Sequence, residues 1–516
     1  MREKWHNYYE MLKFQLALLF TAVMIYGLGN LITNTSFSSL WLIKNQYILV
    51  VAEAFMRLAQ FLIVYFPLFF LIKLVSKPKN GVTKVVAGII GYITFEVFTI
   101  FFADSSLPSA AFSPILGISI TSSRVNGLAG STHYPIQTGI IGIAVVAYFT
   151  VTTHEFTKNH SQYDFMGFID RDLWVTLVNM IPCAISGVLV AWAWPFMYEQ
   201  LNNLFVFISR NINNPMNLFI YGVTERLLNV LNLASLIRTP FWFGTQGGTW
   251  VNLVGENVAG DVNAWTASLA AGALQVTSGR FITPYYVMNM FAMPGLILGL
   301  YSLYTDKMEK RKVRVLVIIA ILTSLLSGCS LPIELLLALL CPLLFILHVL
   351  YTGSLFGVFK AVGCTLGFNY KGTSTLTALP GTLPEFLTYV NNADLRHTIN
   401  VILIIGAITF LLYFIMTRVY FKYLALDLFN TGGVGRMSDA TIRAVGGTAN
   451  IKMIHSSINR LTIQVFDPTL FNVKPLREFS SVRVSDSKAG FVLNFGAGST
   501  IIANAINKEL RESLRK

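Results

Sequence analysis

Leu325-Leu326-Ser327-Gly328-Cys329-Ser330-Leu331-Pro332-Ile333-Glu334-Leu335, continued by Cys341-Pro342-Leu343 and Phe345-Ile346-Leu347-His348, is apolar along nearly its whole length and carries a single carboxylate. Such a run suits a hydrocarbon core of ~30 Å, which a helix of about 20 apolar residues crosses. Working outward, comparable stretches lie near 12–33, 47–75, 84–103, 138–153, 173–196, 216–236, 285–304, 313–330, 333–352 and 401–425. They predict a polytopic α-helical membrane protein of about ten spans. The stretches at 138–153 and 216–236 are short or polar, which suits tilted or re-entrant hairpins. Composition agrees, since 12% of the 516 residues are charged, against about 25% in soluble domains.

The net charge of +13 is gathered in loops: Lys73, Lys77, Lys79 and Lys84; Lys307, Lys310, Arg311, Lys312 and Arg314; Arg2, Lys4 and Lys13. Basic loops beside apolar spans face the cytoplasm, so the high isoelectric point reads as orientation, with no nucleic-acid partner. The cysteines, Cys183, Cys329, Cys341 and Cys364, lie in or beside apolar stretches without a CxxC pair, which gives no disulfide framework and no metal site. No glycine run sits between a strand and a helix, so neither a nucleotide nor another cofactor is expected. The stretch 12–33 lacks a small-residue cleavage site and reads as a retained span.

Apolar character ends near residue 425, and Asn430-Thr431-Gly432-Gly433-Val434-Gly435-Arg436 follows. The expected division is a membrane domain over 1–430, a glycine-rich linker over 431–436 and a small cytoplasmic α/β domain over 437–516. Within the last, a helix begins near Ser438, strands are expected at 460–466 and 490–495, and a helix closes the chain over Thr500 to Arg515.

Three further passages carry a family likeness. Tyr221-Gly222-Val223-Thr224-Glu225-Arg226-Leu227-Leu228 resembles the Tyr-x-x-x-Glu-Arg-x-Leu stretch of sugar phosphotransferase (PTS) IIC permeases of the glucose, maltose and α-glucoside branch. The opening run resembles their Gly-Ile-Thr-Glu-Pro-Ile-Glu-Phe signature, and Thr431 to Arg436 resembles their Thr-Pro-Gly-Arg linker. The tail, with Gly446-Gly447, Asn450-Ile451 and Ser457-Ile458-Asn459-Arg460-Leu461, resembles a IIB domain, whose Cys-Ile-Thr-Arg-Leu-Arg stretch carries phosphate on its cysteine. The resemblance implies a bacterial cell-membrane protein with cytoplasmic termini, a homodimer, and IIA, IIB or regulatory partners.

The likeness fails where the chemistry should be. Ser457 stands at the phosphocysteine position with Arg460 retained; Leu331 replaces the sugar-activating Glu; Ala234 and Ser235 replace two His. A thiol near pKa ~8.5 supplies thiolate at neutral pH, whereas a serine needs a positioned base. His455 would supply one only if Ser457 continued a regular strand. Leucine can neither accept a proton nor hold a sugar hydroxyl.

Other polar groups within apolar stretches are candidate sugar contacts. Glu225 and Arg226 form either a structural ion pair or a ligand site; Glu334 matches the signature's second Glu. Glu53 and Arg57 read as a mutually satisfied pair on a buried face, and His348 as a packing residue. Trp242 and Trp250, in a segment rich in Gly, Asn and Thr, offer ring faces for sugar stacking or interfacial anchors. The chain is therefore expected to bind or carry a sugar without phosphorylating it, as sensor, regulator or uncoupled carrier. Alternatives are a working permease that uses a IIB donor in trans, and a non-transporting scaffold.

Overall fold

A computed structural model describes residues 2–33, 45–76, 81–121, 132–157, 171–272, 277–303, 307–370, 378–421, 434–457, 460–476, 483–487, 490–495 and 499–513. Its helices in order are α1 (Arg2–Thr33), α2 (Gln46–Val64), α3 (Phe66–Val75), α4 (Gly81–Phe102), α5 (Gly139–Thr157), α6 (Arg171–Arg210), α7 (Pro215–Val230), α8 (Ser235–Trp242) and α9 (Asp261–Ala270). There follow α10 (Thr283–Val287), α11 (Met293–Ser302), α12 (Lys307–Ser327), α13 (Leu331–Leu340), α14 (Pro342–Val362), α15 (Leu383–Tyr389), α16 (Arg396–Val419), α17 (Val434–Ala444) and α18 (Ser499–Ser513). Seven helices among the described residues are long and apolar enough to cross a membrane: Leu12–Thr33, α2, α4, α5, Leu173–Arg210, α14 and Ala393–Val419.

Several expected spans are broken or extended. The stretch 47–75 divides at Tyr65 and the stretch 333–352 at Cys341, because Pro67 and Pro342 have no N–H to continue a helix and fit its first turn. The 138–153 stretch, expected to be tilted or re-entrant, lies in a continuous 19-residue helix. Glu53 and Arg57 do pair, at 3.3 Å, but their side chains are 62% and 70% exposed, correcting the buried-face reading; little of α2 is covered within one chain.

One compact unit comprises Glu10–Tyr285 and Leu347–Thr398. In it α4 packs along α6, where a side chain on Gly91 would meet Asn179 and Cys183, and one on Gly187 would meet the Phe95 carbonyl. Asn179 Nδ2 donates to the Ala87 carbonyl (2.9 Å) and to Thr150 Oγ1 (3.2 Å), so one buried amide joins α4, α5 and α6. Helices α7 and α14 meet at Gly222 and Gly353; a Cβ on Gly222 would lie 2.9 Å from the Gly353 Cα. Small pairs run β1 (Ile120–Thr121) against β2 (Thr132–His133), and β3 (Thr249–Val251) against β4 (Asn257–Ala259), both antiparallel. Asp261 opens α9 and accepts the N–H groups of Gly279 (2.9 Å) and Phe281 (3.2 Å), with Arg280 Nε at 3.6 Å. Burial pushes its carboxyl up to about 6 against the pull of Arg280 and these donors.

The second unit contains Tyr286–Ile346 and Ile399–Lys516, with the chain's first residues. A π turn, Met288–Ala292, separates α10 from α11, and Ser324 Oγ donates to the Asn289 carbonyl at 2.7 Å. Near the C-terminus lie β5 (Ile451–Ser456), β6 (Leu461–Val465), β7 (Arg483–Ser487) and β8 (Gly490–Asn494), an antiparallel sheet in the order β5-β6-β8-β7. Ile454, Leu461, Ile463 and Leu493 from the sheet, Ala440 and Ala444 from α17, and Ile502 and Ile506 from α18 share one core.

The expected strands at 460–466 and 490–495 correspond to β6 and β8. Val434–Arg436, expected in the linker, already form the first turn of α17, while Thr431–Gly433 lie outside the described residues. Gly446 and Gly447 stop α17 with φ of +88° and +99°, where a side chain would be strained. Gly447 N–H then bonds to the Ile442 carbonyl at 2.8 Å.

Candidate functional site

Glu225 faces inward from α7 and is wholly buried, as is Arg226 beside it. Arg226 Nε donates to Glu225 Oε2. Arg238, one turn into α8, donates to Glu225 Oε1 from Nε at 2.7 Å and also from its terminal nitrogen, which reaches Asn229 Oδ1 at 3.1 Å. Tyr285 adds its hydroxyl to the same oxygen at 2.7 Å. One carboxylate is thus held by two guanidiniums and a phenol, where lone buried charge would be costly.

Aromatic rings close this network. Arg226 lies 4.7 Å from the Tyr285 ring centroid, and Arg238 lies 5.3 Å from that of Trp242. Trp242 is fully buried and donates its indole N–H to the Tyr221 hydroxyl at 3.0 Å. Trp250, on β3, is only half-buried. Beside α8, Phe243 and Tyr370 stack at 6.2 Å, and Tyr370 and Phe368 at 5.4 Å. The amides of this segment largely serve its own backbone: Asn252 Oδ1 accepts from Val254 and Glu256, and Asn263 Nδ2 donates to Ala259.

The turn from α7 to α8 leads to a cleft. Asn232 has φ +59°, a left-handed conformation that asparagine tolerates, and Leu233 N–H closes the helix end on the Leu228 carbonyl at 2.8 Å. Ala234 and Ser235 follow, both buried. Ser235 Oγ bonds to Gln137 Oε1, while Gln137 Nε2 donates to the Asn232 carbonyl at 3.1 Å. Gln137 and Asn232 line a small open cleft of about 30 Å³ together with Tyr65, Tyr92, Ser113 and Leu116. That volume holds a water or two and falls far below the ~300–1,000 Å³ usual for small-molecule sites.

The structure therefore gathers Glu225, Arg226 and Trp242 into one network, with Ser235 one turn ahead of Arg238 on the same helix. Glu334 belongs to the other compact unit. It is buried in the first turn of α13, where Ser330 Oγ bonds to its Oε1 at 2.5 Å. Leu331, at the head of that helix, is 6% exposed. His348 is fully buried in α14.

Ser457 follows the end of β5, and its N–H bonds to the Arg460 carbonyl at 2.8 Å across the turn into β6; Ile458 and Asn459 lie outside the described residues. His455 is exposed within β5, opposite Thr462. The strand reading that would align His455 with Ser457 thus ends one residue short. Asn450 accepts the Asp467 N–H at 2.7 Å and donates to the Val445 and Asp467 carbonyls at 2.7 and 2.8 Å, so the Asn-Ile pair serves the local fold.

Sequence reasoning missed Arg238, Tyr285 and Gln137, which stand 13, 60 and 88 positions from Glu225 with no local pattern to betray them.

Residues 10–353, about two thirds of the chain, match the family model of the phosphotransferase system EIIC. The matched range contains the Glu225 network, the cleft, Leu331 and Glu334, and stops before the C-terminal sheet. The chain belongs to the phosphotransferase system EIIC family, the membrane sugar permease component of that system.

Proposed function

We propose that the protein binds or carries a sugar of the glucose and α-glucoside class without phosphorylating it. What supports the reading is the loss of chemistry at separate motif positions: Ser457 for the phosphocysteine, Leu331 for the sugar-activating acid, and Ala234 and Ser235 for the histidines. Leu331 is apolar and buried, and the neighbouring carboxylate of Glu334 is engaged by Ser330. A serine in a turn offers no thiolate, and a donor supplied in trans would leave the acceptor site unrestored. On this reading the tail is a IIB-like domain that has kept its frame, with Gly446, Gly447 and Asn450 in structural roles, and both termini are cytoplasmic in a bacterial membrane.

The exposed Glu53–Arg57 pair on α2 favours a homodimer, because facing lipid would be costly for either charge. The half-buried stack of Phe243, Tyr370 and Phe368, with Trp250, is suited to the apolar faces of a sugar ring.

The test is uptake of radiolabelled glucose, maltose and trehalose in bacterial cells lacking their own sugar permeases, with products resolved into free and phosphorylated sugar. Free sugar dependent on this protein is expected. Phosphorylated sugar would overturn the reading in favour of a trans donor. With no uptake and no sugar binding by purified protein, a scaffold role would replace it.

A further inference from the structure

Lys360 lies in the last turn of α14, one of the membrane-length helices, where a basic side chain ordinarily turns to its own helix end or to the headgroup layer. Its Nζ instead donates to Asn213 Oδ1 at 2.8 Å, 147 positions earlier in the chain. Arg280 Nη1 donates to the same oxygen at 3.3 Å. Two positive charges therefore meet on one neutral amide. That amide belongs to the turn entering α7, where Asn214 caps the helix by accepting the Met216 N–H at 2.9 Å. The positive end of the helix dipole adds to the same side of the balance.

Little on the page offsets this charge. Asp261 is the one carboxylate within 4 Å of either group among the described residues. It stands 3.6 Å from Arg280 Nε, and its oxygens already accept the N–H groups of Gly279 and Phe281. Arg280 Nη2 bonds to the Thr277 carbonyl. An arginine offers five N–H donors and a lysine three, and described residues engage only three of the eight in hydrogen bonds. The Arg280 side chain is itself buried and so held in place, whereas Lys360 is half-buried and Asn213 and Thr277 are exposed. The cluster is thus rigid on one side and open on the other.

We propose that Arg280, Lys360 and Asn213 form a binding site for a phosphate group at the membrane boundary, supplied by the headgroup of an anionic phospholipid or by a free phosphate ion. A planar guanidinium beside an ammonium suits a tetrahedral oxyanion, which can accept from both at once. The phosphate oxygens take the unengaged donors of Arg280 and Lys360. Asn213 adds its Nδ2, which has no acceptor among the described residues, and the anion supplies the counter-charge that the neutral amide lacks.

The experiment uses the full chain in detergent. Native mass spectrometry follows retention of added phosphatidylglycerol against phosphatidylcholine, and thermal melting compares inorganic phosphate with chloride at equal ionic strength. Preference for phosphatidylglycerol identifies a lipid headgroup as the occupant, and a melting rise with phosphate identifies the free ion. For whichever ligand binds, Lys360→Gln should weaken binding about tenfold, while Lys360→Arg should retain it. Asn213→Asp places a carboxylate between the two cations, so it should raise the melting temperature and abolish binding. A wild-type protein that prefers neither ligand would overturn the proposal, as would binding left unchanged by Lys360→Gln or by Asn213→Asp.

Discussion

Replacing Glu225 by Gln tests whether the buried network is a structural device. The substitution keeps the side chain's shape while leaving Arg226 and Arg238 without their shared counter-charge, at side-chain exposures of 1% and 10%. Breaking a buried pair from one side costs about 3–5 kcal/mol, and stranding two guanidiniums places Glu225→Gln at the upper end. Arg238→Met leaves the carboxylate with Arg226 and Tyr285, so its cost should lie nearer ~3 kcal/mol. Tyr285→Phe removes one hydrogen bond to a charged acceptor, worth about 1.5–3 kcal/mol. At about 2 °C per kcal/mol for a large unit, thermal melting of the detergent-solubilised protein should fall by roughly 10 °C for Glu225→Gln. The losses should rank Glu225→Gln, Arg238→Met, Tyr285→Phe. A Glu225→Gln protein that melts like wild type but no longer binds sugar would refute the structural assignment and make Glu225 a ligand.

Four further outcomes are expected. Gly353→Leu should lower melting by several degrees, because the new side chain meets the backbone of Phe219 and Val223 on α7, with overpacking costs of about 1–3 kcal/mol; an unchanged melt would contradict the close helix approach. Asn450→Ala should destabilise the C-terminal sheet by about 1–3 kcal/mol, read as faster proteolysis there, since the Asp467 N–H loses its acceptor. Ser457→Cys should accept radiolabelled phosphate from a phosphorylated IIA protein without yielding sugar phosphate, and sugar phosphate in that single variant would show that Leu331 is no obstacle. Asp261 titrates at about 6 in the fold against an ordinary 3.8, so the folded state holds the proton more tightly. Its contribution to stability is then greatest below the lower value and declines as pH rises to the upper one. The melting difference between wild type and Asp261→Asn should move against wild type between pH 4 and 6 and level off above.

Hydropathy located the long helices well because a 20-residue apolar run has few other uses. It passed over the breaks at Tyr65 and Cys341, where Pro67 and Pro342 were the legible signals and averaging hid them. Beyond Trp194, α6 runs on through Glu199, Gln200, Asn202 and Asn203 to Arg210, polar residues that hydropathy reads as the end of a span. The strand β5 escaped notice because its register shifts between Ile451 and Met453, disturbing the alternation that marks a strand. At the site, Glu225 and Arg226 were visible as rare charges, but the groups that neutralise them arrive from other segments through packing alone. Ser235 was seen as a missing histidine; that its hydroxyl completes a link to Gln137 depends on the left-handed turn at Asn232.

The 40-residue helix α6 has a mechanical consequence. At 1.5 Å per residue it is about 60 Å long, twice the ~30 Å hydrocarbon core, so it stands steeply inclined or projects into water. It seats on α4 over the stretch from Asn179 to Gly187, where α6 allows no side chain on Gly91 of α4 and α4 allows none on Gly187. Taking Cys183 as the fulcrum, the arms to Arg171 and Arg210 measure about 18 and 40 Å. A tilt about that seat would therefore displace the Arg210 end roughly twice as far as the Arg171 end, delivering the larger swing to Asn211–Asn214 and the start of α7, the helix that carries Glu225.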